Sequence, residues 1–311
     1  MYYHATVPSG YGQYHQSNVS YLRYIVLVII ITTALGTGFI VTRIFAGIRP
    51  VNSELSAPSV VTKPSLSTPS PPPEKQQAPI VAPTSSSNYS SVLKNDLTAW
   101  QTGQKGSNWA FYIKSIDGGN LDVAVNESRQ FEMASIYKLF LIKPLALKIS
   151  PETWLTTKIT SRTYADCVDA MLSVSDNPCA QAIVQKLGTR YINQQTKSYG
   201  YNDTNFSRSD YFSGTVANTG LLLTRLYQGD GYDLKTKELS LGALAKPKKI
   251  EALRGACSDC HVMNKIGVNN GVKHDAGIVI KNEKAYVVVI FSDHADWSKL
   301  TEVSKIINDY L

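Results

Sequence analysis

Charge is scarce in this chain, and tryptophan is absent from its first 99 residues. Only 18% of the 311 residues are charged, and the excess of 31 Lys+Arg over 24 Asp+Glu is spread along the chain without a basic block. Nucleic-acid binding therefore has little support. Nine of the 14 prolines lie between Pro50 and Pro83. Because 43% of the residues are hydrophobic, wholesale disorder is excluded, and we expect the folded core beyond this proline-rich segment.

An uncharged run separates an N-terminal tail (1–23) from the proline-rich segment. It is YIVLVIIITTALGTGFIV, residues 24–41, at the lower end of the length that crosses a bilayer. Polar sequence on both sides leaves nothing against which a core helix could be buried. No clear small-x-small site follows the run, as a cleaved signal peptide needs. We therefore predict a transmembrane helix at residues 24–42.

The following segment, residues 43–91, is dominated by Pro, Ser, Thr, Val and Gln and includes the run Pro71-Pro72-Pro73. Such a composition cannot bury enough apolar surface to fold, and it favours extended, polyproline-like conformers. We predict a disordered linker here, and a folded domain at residues 92–311.

The folded domain has a distinct order of secondary-structure signals. Two strand patterns joined by a hairpin signal come first, then helical patterns, then three further strand patterns and an amphipathic helix. This order predicts an α+β fold in which helices flank a five-stranded antiparallel sheet, beside a helical subdomain. The predicted strands are 109–114, 121–125, 261–267, 272–280 and 285–292, and the predicted helices fall within 134–147 (kinked at Pro144), 165–253 and about 300–310.

The pair Ser135 and Lys138 is predicted to lie at the start of the first helix of this domain. Residues i and i+3 share a helix face, so the amine can lie beside the hydroxyl. A desolvated lysine can remove the proton of a serine, and the N–H groups of a helix start can stabilise an oxyanion. The spacing alone is weak, because Ser91 and Lys94 share it.

Two further motifs lie at junctions of the predicted architecture. Ser175–Asn177 precedes Pro178, and these residue types commonly begin a helix. Lys265–Gly267 lies on the first of the three late strands, where the glycine would let a substrate approach the backbone. Each motif alone also has an ordinary structural explanation, as a helix cap and as an edge-strand lysine.

Taken together and in this order, SxxK, SDN and K-x-G are the signature set of active-site serine penicillin-recognising enzymes. The resemblance covers about 109–311. The segment 131–139 resembles the nucleophile segment of class A β-lactamases, 171–180 resembles their SDN segment, and 265–279 resembles the strand-turn-strand of related serine hydrolases. It implies a serine hydrolase that forms an acyl-enzyme with β-lactams or with D-alanyl peptides of the cell wall. The alternative is a non-catalytic descendant that binds such peptides in the same cleft.

The resemblance implies a role for each matching residue. Ser135 would be acylated and Lys138 would activate it, while the backbone N–H groups of Ser135 and Val268 would form the oxyanion hole. Ser175 would pass a proton to the leaving nitrogen, and Asn177 would orient the side-chain amide of the substrate. No metal and no cofactor are implied, and we expect a monomer. The remaining substrate-binding residues would be Lys265, as a positive charge for the substrate carboxylate and for Ser175, and Gly267.

Two departures from the family pattern affect the expected chemistry. Ile266 replaces a hydroxyl residue that usually contacts the substrate carboxylate. The loop glutamate that activates the deacylating water has no counterpart, because Glu238 and Glu251 come too late in the sequence. The loop at 201–213 is short, and Asp210 is its nearest carboxylate. We therefore expect acylation to be supported and deacylation to be slow.

The four cysteines can pair in three ways. Cys167 and Cys179 flank the SDN motif, and Cys257 and Cys260 lie just before the strand of the K-x-G motif. Pairing of near neighbours would hold two catalytic segments in place and would fit an oxidising compartment. The alternatives are free thiols, or a zinc site formed by Cys257, Cys260, His261 and one more ligand.

His274 and Asp275 could suggest a Ser-His-Asp triad. Neighbouring residues of a strand point to opposite faces, and Lys138 already provides a base at the right spacing. We therefore interpret this pair as structural.

The cysteines and the chemistry predict that the folded domain lies outside the cytoplasm, at the cell surface or in a periplasm, on a membrane anchor. The flanking charges, Arg23 before the run and Arg43 and Arg49 after it, mildly favour the opposite orientation. Protease added to intact cells should therefore remove the domain from the membrane fraction, as followed with an antibody to its C-terminus. Full protection in intact cells, with cleavage only after lysis, would contradict this prediction.

Overall fold

The computed structural model describes residues 87–207, 212–246, 251–269 and 271–311. All of these residues belong to one compact unit, Gln77–Leu311. The predicted N-terminal tail, the predicted transmembrane helix at 24–42 and most of the predicted linker lie outside the described ranges. Within those ranges, no helix has the length and the apolar character that crossing a membrane requires.

The described residues form helices and strands in the order that the sequence predicts. A 3₁₀ helix at Ala134–Leu141 leads directly into the second α-helix, and a short one at Pro151–Thr153 follows it. The α-helices are α1 (Ser87–Thr102), α2 (Ile142–Lys148), α3 (Tyr164–Ser173), α4 (Asn177–Leu187), α5 (Thr189–Ser198), α6 (Val216–Gln228), α7 (Leu234–Ala245), α8 (Leu253–Ala256) and α9 (Trp297–Asn308). The strands are β1 (Asn108–Ser115), β2 (Asp122–Val125), β3 (Phe131–Glu132), β4 (Ser213–Gly214), β5 (His261–Asn269), β6 (Val272–Lys281) and β7 (Lys284–Asp293).

Five of the strands form one antiparallel sheet in the order β2-β1-β7-β6-β5. Strand β1 comes early in the chain and pairs with β7 from its end, so that Tyr112 lies opposite Val289. Strands β3 and β4 form a separate two-stranded sheet. The predicted α+β fold with five antiparallel strands is thus confirmed.

A hydrophobic core lies on each face of the large sheet. Side chains of a strand alternate between the two faces. On β1, Phe111 and Ile113 accordingly belong to the core under α1 and α9, while Ala110 belongs to the core under the helical block. The sheet is therefore the middle layer, and the helical block carries its own apolar residues onto one face.

Two local predictions are wrong. The predicted linker extends over 43–91, but α1 begins at Ser87 and buries Leu93 and Leu97. The segment 134–147 is expected to be one α-helix with a kink at Pro144. Instead, the 3₁₀ helix ends at Leu141, so the proline falls in the first turn of α2, where its missing N–H costs little.

The packing of α6 against the sheet requires a glycine. A Cβ atom at Gly220 would overlap the aromatic ring of Tyr112 on β1, whereas a Cβ atom at Gly242 of α7 would have no heavy atom within 4 Å. We predict that Gly220→Ala destabilises the fold by about 1–3 kcal/mol, because the helix and the ring must move apart.

The matched control, Gly242→Ala, should stabilise the fold by about 0.5–1 kcal/mol through helix propensity alone. Urea unfolding of both variants measures the two changes. Equal effects of the two substitutions would mean that α6 does not need the close approach to β1.

Candidate active site

The SxxK residues lie on a 3₁₀ helix, where residues three apart eclipse each other. Ser135 and Lys138 are therefore stacked, and the Lys138 Nζ lies 3.2 Å from the Ser135 Oγ. The helix begins immediately after β3, and Ala134 takes a left-handed backbone conformation with φ of 44°. The expectation that the helix brings the two residues together holds, although the helix is of a different type.

The buried amine of Lys138 is surrounded by hydrogen-bond acceptors. Its Nζ lies within hydrogen-bond distance of four oxygens, and as an ammonium group it can donate to three of them at once. They are the backbone oxygen of Ser175 at 2.7 Å, the Ser175 Oγ at 3.0 Å, the Asn177 Oδ1 at 2.7 Å and the Ser135 Oγ. The side chain of Lys138 is fully buried. Burial lowers the pKa of Lys138 from 10.5 to about 8, and the nearby charge of Asp176 opposes this shift. The amine can therefore be neutral near physiological pH and accept a proton.

A strained turn places Ser175 against this amine. Ser175 lies between α3 and α4 and has a φ of 62°, a conformation that non-glycine residues rarely adopt. Asp176 caps α4 by accepting a hydrogen bond from the Cys179 N–H at 2.9 Å. The Cys167–Cys179 disulfide joins α3 to α4 across the same turn. The turn is therefore fixed on both sides.

The second lysine reaches Ser175 from the sheet. Lys265 lies on β5 and is fully buried, and its Nζ donates to the Ser175 Oγ at 3.0 Å and to the backbone oxygen of Ile266 at 2.8 Å. A hydroxyl has two acceptor lone pairs and one proton. When Lys138 and Lys265 both donate to the Ser175 Oγ, the proton of Ser175 points away from both lysines.

Gly267 is also required by the packing of β5. A Cβ atom at this position would lie 2.9 Å from the Ile136 Cγ1 and 3.0 Å from the backbone oxygen of Met133. The glycine therefore lets β5 lie against the 3₁₀ helix, and the approach of substrate to its backbone stays a prediction. The next residue, Val268, is 48% exposed. Ser135 and Val268 thus line the same cleft.

The cleft has a volume of about 290 Å³. It contains three of the predicted site residues, Ser135, Asn177 and Val268, whereas the two lysines are buried beneath it. Sequence reasoning missed the other residues that line it. Only Gln181 had a usable signal, because it lies one helical turn after Asn177. The missed residues are Glu132, Ala134, Tyr137, Gln181, Phe212 and Asn269.

The loop that would carry the deacylating base presents aromatic rings to Tyr137. The Phe212 ring lies 4.3 Å and the Phe206 ring 6.4 Å from the Tyr137 ring, between centroids. Phe212 also lines the cleft. Asp210, the nearest carboxylate in the sequence, lies outside the described residues. In the described part of this loop, no carboxylate lines the cleft.

The second disulfide, Cys257–Cys260, lies just before β5. Each sulfur is bonded to the other, so neither is available as a thiolate, and the alternatives of free thiols and of a zinc site on these cysteines are excluded. Both near-neighbour pairings that the sequence favoured are present.

His274 and Asp275 are both fully buried and do not line the cleft. The His274 Nε2 donates to the backbone oxygen of Glu132 at 2.7 Å, and its Nδ1 accepts from the Ser292 N–H at 3.1 Å. Burial lowers the pKa of His274 to about 4 and raises that of Asp275 to about 6. A neutral histidine that supports β3 has a structural role, and no triad with Ser135 is formed.

A family model described as the beta-lactamase enzyme family matches residues 92–311. The chain belongs to this family. It is a serine β-lactamase-like hydrolase, and the motifs quoted above are the ones that carry the resemblance. No curated protein matches its sequence.

Solved structures of this fold align with the chain at low sequence identity. A point mutant of PBP-A in an acyl-enzyme complex with penicillin G has a TM-score of 0.63 and 17% identity over 70% of this chain and 96% of its own. A class A β-lactamase from Mycobacterium abscessus has a TM-score of 0.63 and 18% identity over 70% and 98%. A β-lactamase from Sphaerobacter thermophilus has a TM-score of 0.60 and 18% identity over 70% and 95%. At such identities the likeness shows the fold alone.

The buried position of Lys138 predicts its titration. Its pKa should be about 8, and Asp176→Asn should lower it further, because the negative charge of Asp176 raises it. NMR of ε-¹³C-labelled lysine, with Lys138 assigned by its loss in Lys138→Arg, measures both values. The matched control is Asp169→Asn, which removes an equal charge from α3 and should leave the midpoint near that of the wild type. A Lys138 midpoint near 10.5 would contradict the prediction.

Proposed function

We propose that the chain is a membrane-anchored serine hydrolase that forms an acyl-enzyme on Ser135 with β-lactams or D-alanyl peptides and releases the product slowly. The observation that carries this proposal is the chain of hydrogen bonds from Ser135 through Lys138 and Ser175 to Lys265, directly beneath the cleft. A nucleophile, a base and a proton donor are thus linked in one unit.

Acylation follows from these contacts. Neutral Lys138 takes the proton of Ser135, whose Oγ forms a bond to the substrate carbonyl carbon. The backbone N–H groups of Ser135 and Val268 stabilise the oxyanion. As the bond from carbon to nitrogen breaks, Ser175 gives its outward proton to the leaving nitrogen. It regains a proton from the ammonium group of Lys138, 3.0 Å away, and Lys138 is neutral again.

Lys265 also favours an anionic substrate. It is buried beside Ser175, it is the lysine that does not act as the base, and a positive potential in a cleft attracts a carboxylate. Ile266 offers no hydroxyl to that carboxylate, so Lys265 would hold it. Asn177, on the cleft wall, would form a hydrogen bond with the amide of the substrate side chain.

Slow deacylation is supported by the aromatic character of the loop. A water molecule that attacks the ester needs a positioned base, and loss of such a base typically costs about 10²–10⁴-fold in rate. Phe206 and Phe212 pack around Tyr137 at this side of the cleft. The structurally similar PBP-A mutant was captured as an acyl-enzyme with penicillin G, which supports the expectation that this fold can hold such an intermediate.

The location outside the cytoplasm is supported by the two disulfides. The membrane anchor is supported by the uncharged run at 24–41.

The second candidate is a non-catalytic domain that binds wall peptides. Ile266 and the lack of a glutamate in the loop favour it. It differs from the first candidate in one measurable respect, because it would bind without forming a covalent bond to Ser135.

We expect a chromogenic cephalosporin to give a rapid burst of about one product per active site, followed by a slow steady rate. Acylation has all of its groups in place, while the deacylating base is missing from the described loop. Stopped-flow absorbance measures both phases, and intact-mass analysis of the quenched full-length chain locates the adduct. A linear time course without a mass increase would contradict slow deacylation.

Ser135→Ala is the control for this measurement. It should abolish both the burst and covalent labelling by a fluorescent penicillin. Ser91→Ala, at the other SxxK match, should change neither, because Ser91 lies on α1 and not in the cleft. Equal labelling of the wild type and Ser135→Ala would overturn the assignment of the nucleophile.

A further inference from the structure

A carboxylate lies on the wall of the cleft, at a position that neither the motifs nor the mechanism uses. Glu132 ends β3, three residues before Ser135, and both residues line the cleft. Its backbone is held by pairing with Ser213 and by the hydrogen bond from His274. Its Oε1 accepts a hydrogen bond from the Nδ2 of Asn269, another lining residue. The carboxylate is therefore fixed in position.

The negative charge of Glu132 is not neutralised within the described part of the chain. The amide of Asn269 is neutral, and a carboxylate can accept about four hydrogen bonds, of which this contact uses one. No lysine or arginine of the described residues forms an ion pair with it. The other ionisable group on the cleft wall, Tyr137, stays neutral because burial raises its pKa to about 12.

The partner of Glu132, Asn269, and the buried Lys265 lie at separate positions along β5. Lys265 and Asn269 are four residues apart on β5, or about 13 Å at the rise of a strand. Three residues of an extended peptide span about 10 Å. A peptide that runs along β5 from a terminal carboxylate near Lys265 would bring its third residue close to the level of Asn269 and Glu132. The region near Lys265 thus favours an anion, and the cleft wall at Glu132 and Asn269 favours a cation.

We propose that Glu132, held by Asn269, is a specificity-determining residue that selects acyl donors with an ammonium group on the acyl side of the scissile bond. This inference rests on the proposed function and names its substrate class. The substrate is dipolar, with a carboxylate on the leaving side and an amine on the acyl side. A charge-assisted hydrogen bond from the amine to the free lone pairs of Glu132 supplies the preference.

Two penicillins test the proposal because they differ by one amine. Ampicillin carries an ammonium group on its side chain, and benzylpenicillin does not. The acylation rate constant of the full-length chain is measured for each by competition with a fluorescent penicillin. The ratio of the two rate constants, ampicillin over benzylpenicillin, is compared between the wild type, Glu132→Gln and the control Glu238→Gln, whose side chain is exposed on α7 and away from the cleft.

We expect Glu132→Gln to lower the ratio by about twofold to fivefold, the size that partly exposed ion pairs give. Glutamine keeps the oxygen that accepts from Asn269, so β3 stays in place. Glu238→Gln should leave the ratio as in the wild type. High salt should lower the ratio of the wild type towards the value of Glu132→Gln and should not lower the ratio of Glu132→Gln itself. An equal ratio in the wild type and Glu132→Gln overturns the proposal, as does a variant that loses labelling by both penicillins.

Failure of the proposed function has a different signature, which is no covalent labelling of the wild type by either penicillin. The specificity is then measured as equilibrium binding of Nα-acetyl-lysyl-D-alanyl-D-alanine and of its Nα,Nε-diacetyl counterpart, which lacks the ammonium group. Tighter binding of the free amine by the wild type, lost in Glu132→Gln, supports the role of Glu132. Equal affinities for the two peptides overturn it.

Discussion

The burial of the Lys138 amine is the constraint on which the rest of the site depends. A buried amine without hydrogen-bond partners is costly, so acceptors must come to it from other parts of the chain. The 3₁₀ helix supplies the Ser135 Oγ, and the turn between α3 and α4 supplies two oxygens of Ser175 and the Oδ1 of Asn177. The same burial lowers the pKa of Lys138 to about 8. Burial of the amine therefore both requires these hydrogen-bond partners and makes Lys138 a base.

The site also concentrates backbone strain, which the surrounding structure must offset. Both Ala134, next to the nucleophile, and Ser175 have positive φ values, and such residues cost about 1–3 kcal/mol each when they are not glycine. The capping of α4 by Asp176 and the Cys167–Cys179 disulfide act on the strained turn at Ser175. The disulfide restricts the unfolded chain and holds α3 beside α4. The stability of this region and the position of its proton donor are thus linked.

Features that depend on local spacing were predictable from the sequence, whereas contacts between distant segments of the chain were not. Five strands were recognisable from their alternation and turns, and the SxxK pair was recognisable because residues three apart are neighbours in either helix type. The 3₁₀ helix packs against Gly267 of β5, a contact between distant segments that the local pattern does not reveal. Glu132 and Asn269 are 137 residues apart, so nothing local marks them as a pair. Phe212 reaches the cleft through the same kind of long-range packing.

The place where the chain enters the fold has a mechanical consequence. Near the start of α1, the Ser90 Oγ bonds to the backbone of Asn120 and Asp122, at the β2 edge of the sheet. The cleft adjoins β5, at the opposite edge, four strand spacings or about 19 Å away. A pulling force applied to the chain ahead of Ser87 is therefore borne first by α1 and β2. Strands β1, β7 and β6 lie between β2 and β5, so such a force enters the sheet at the edge opposite the strand that carries Lys265.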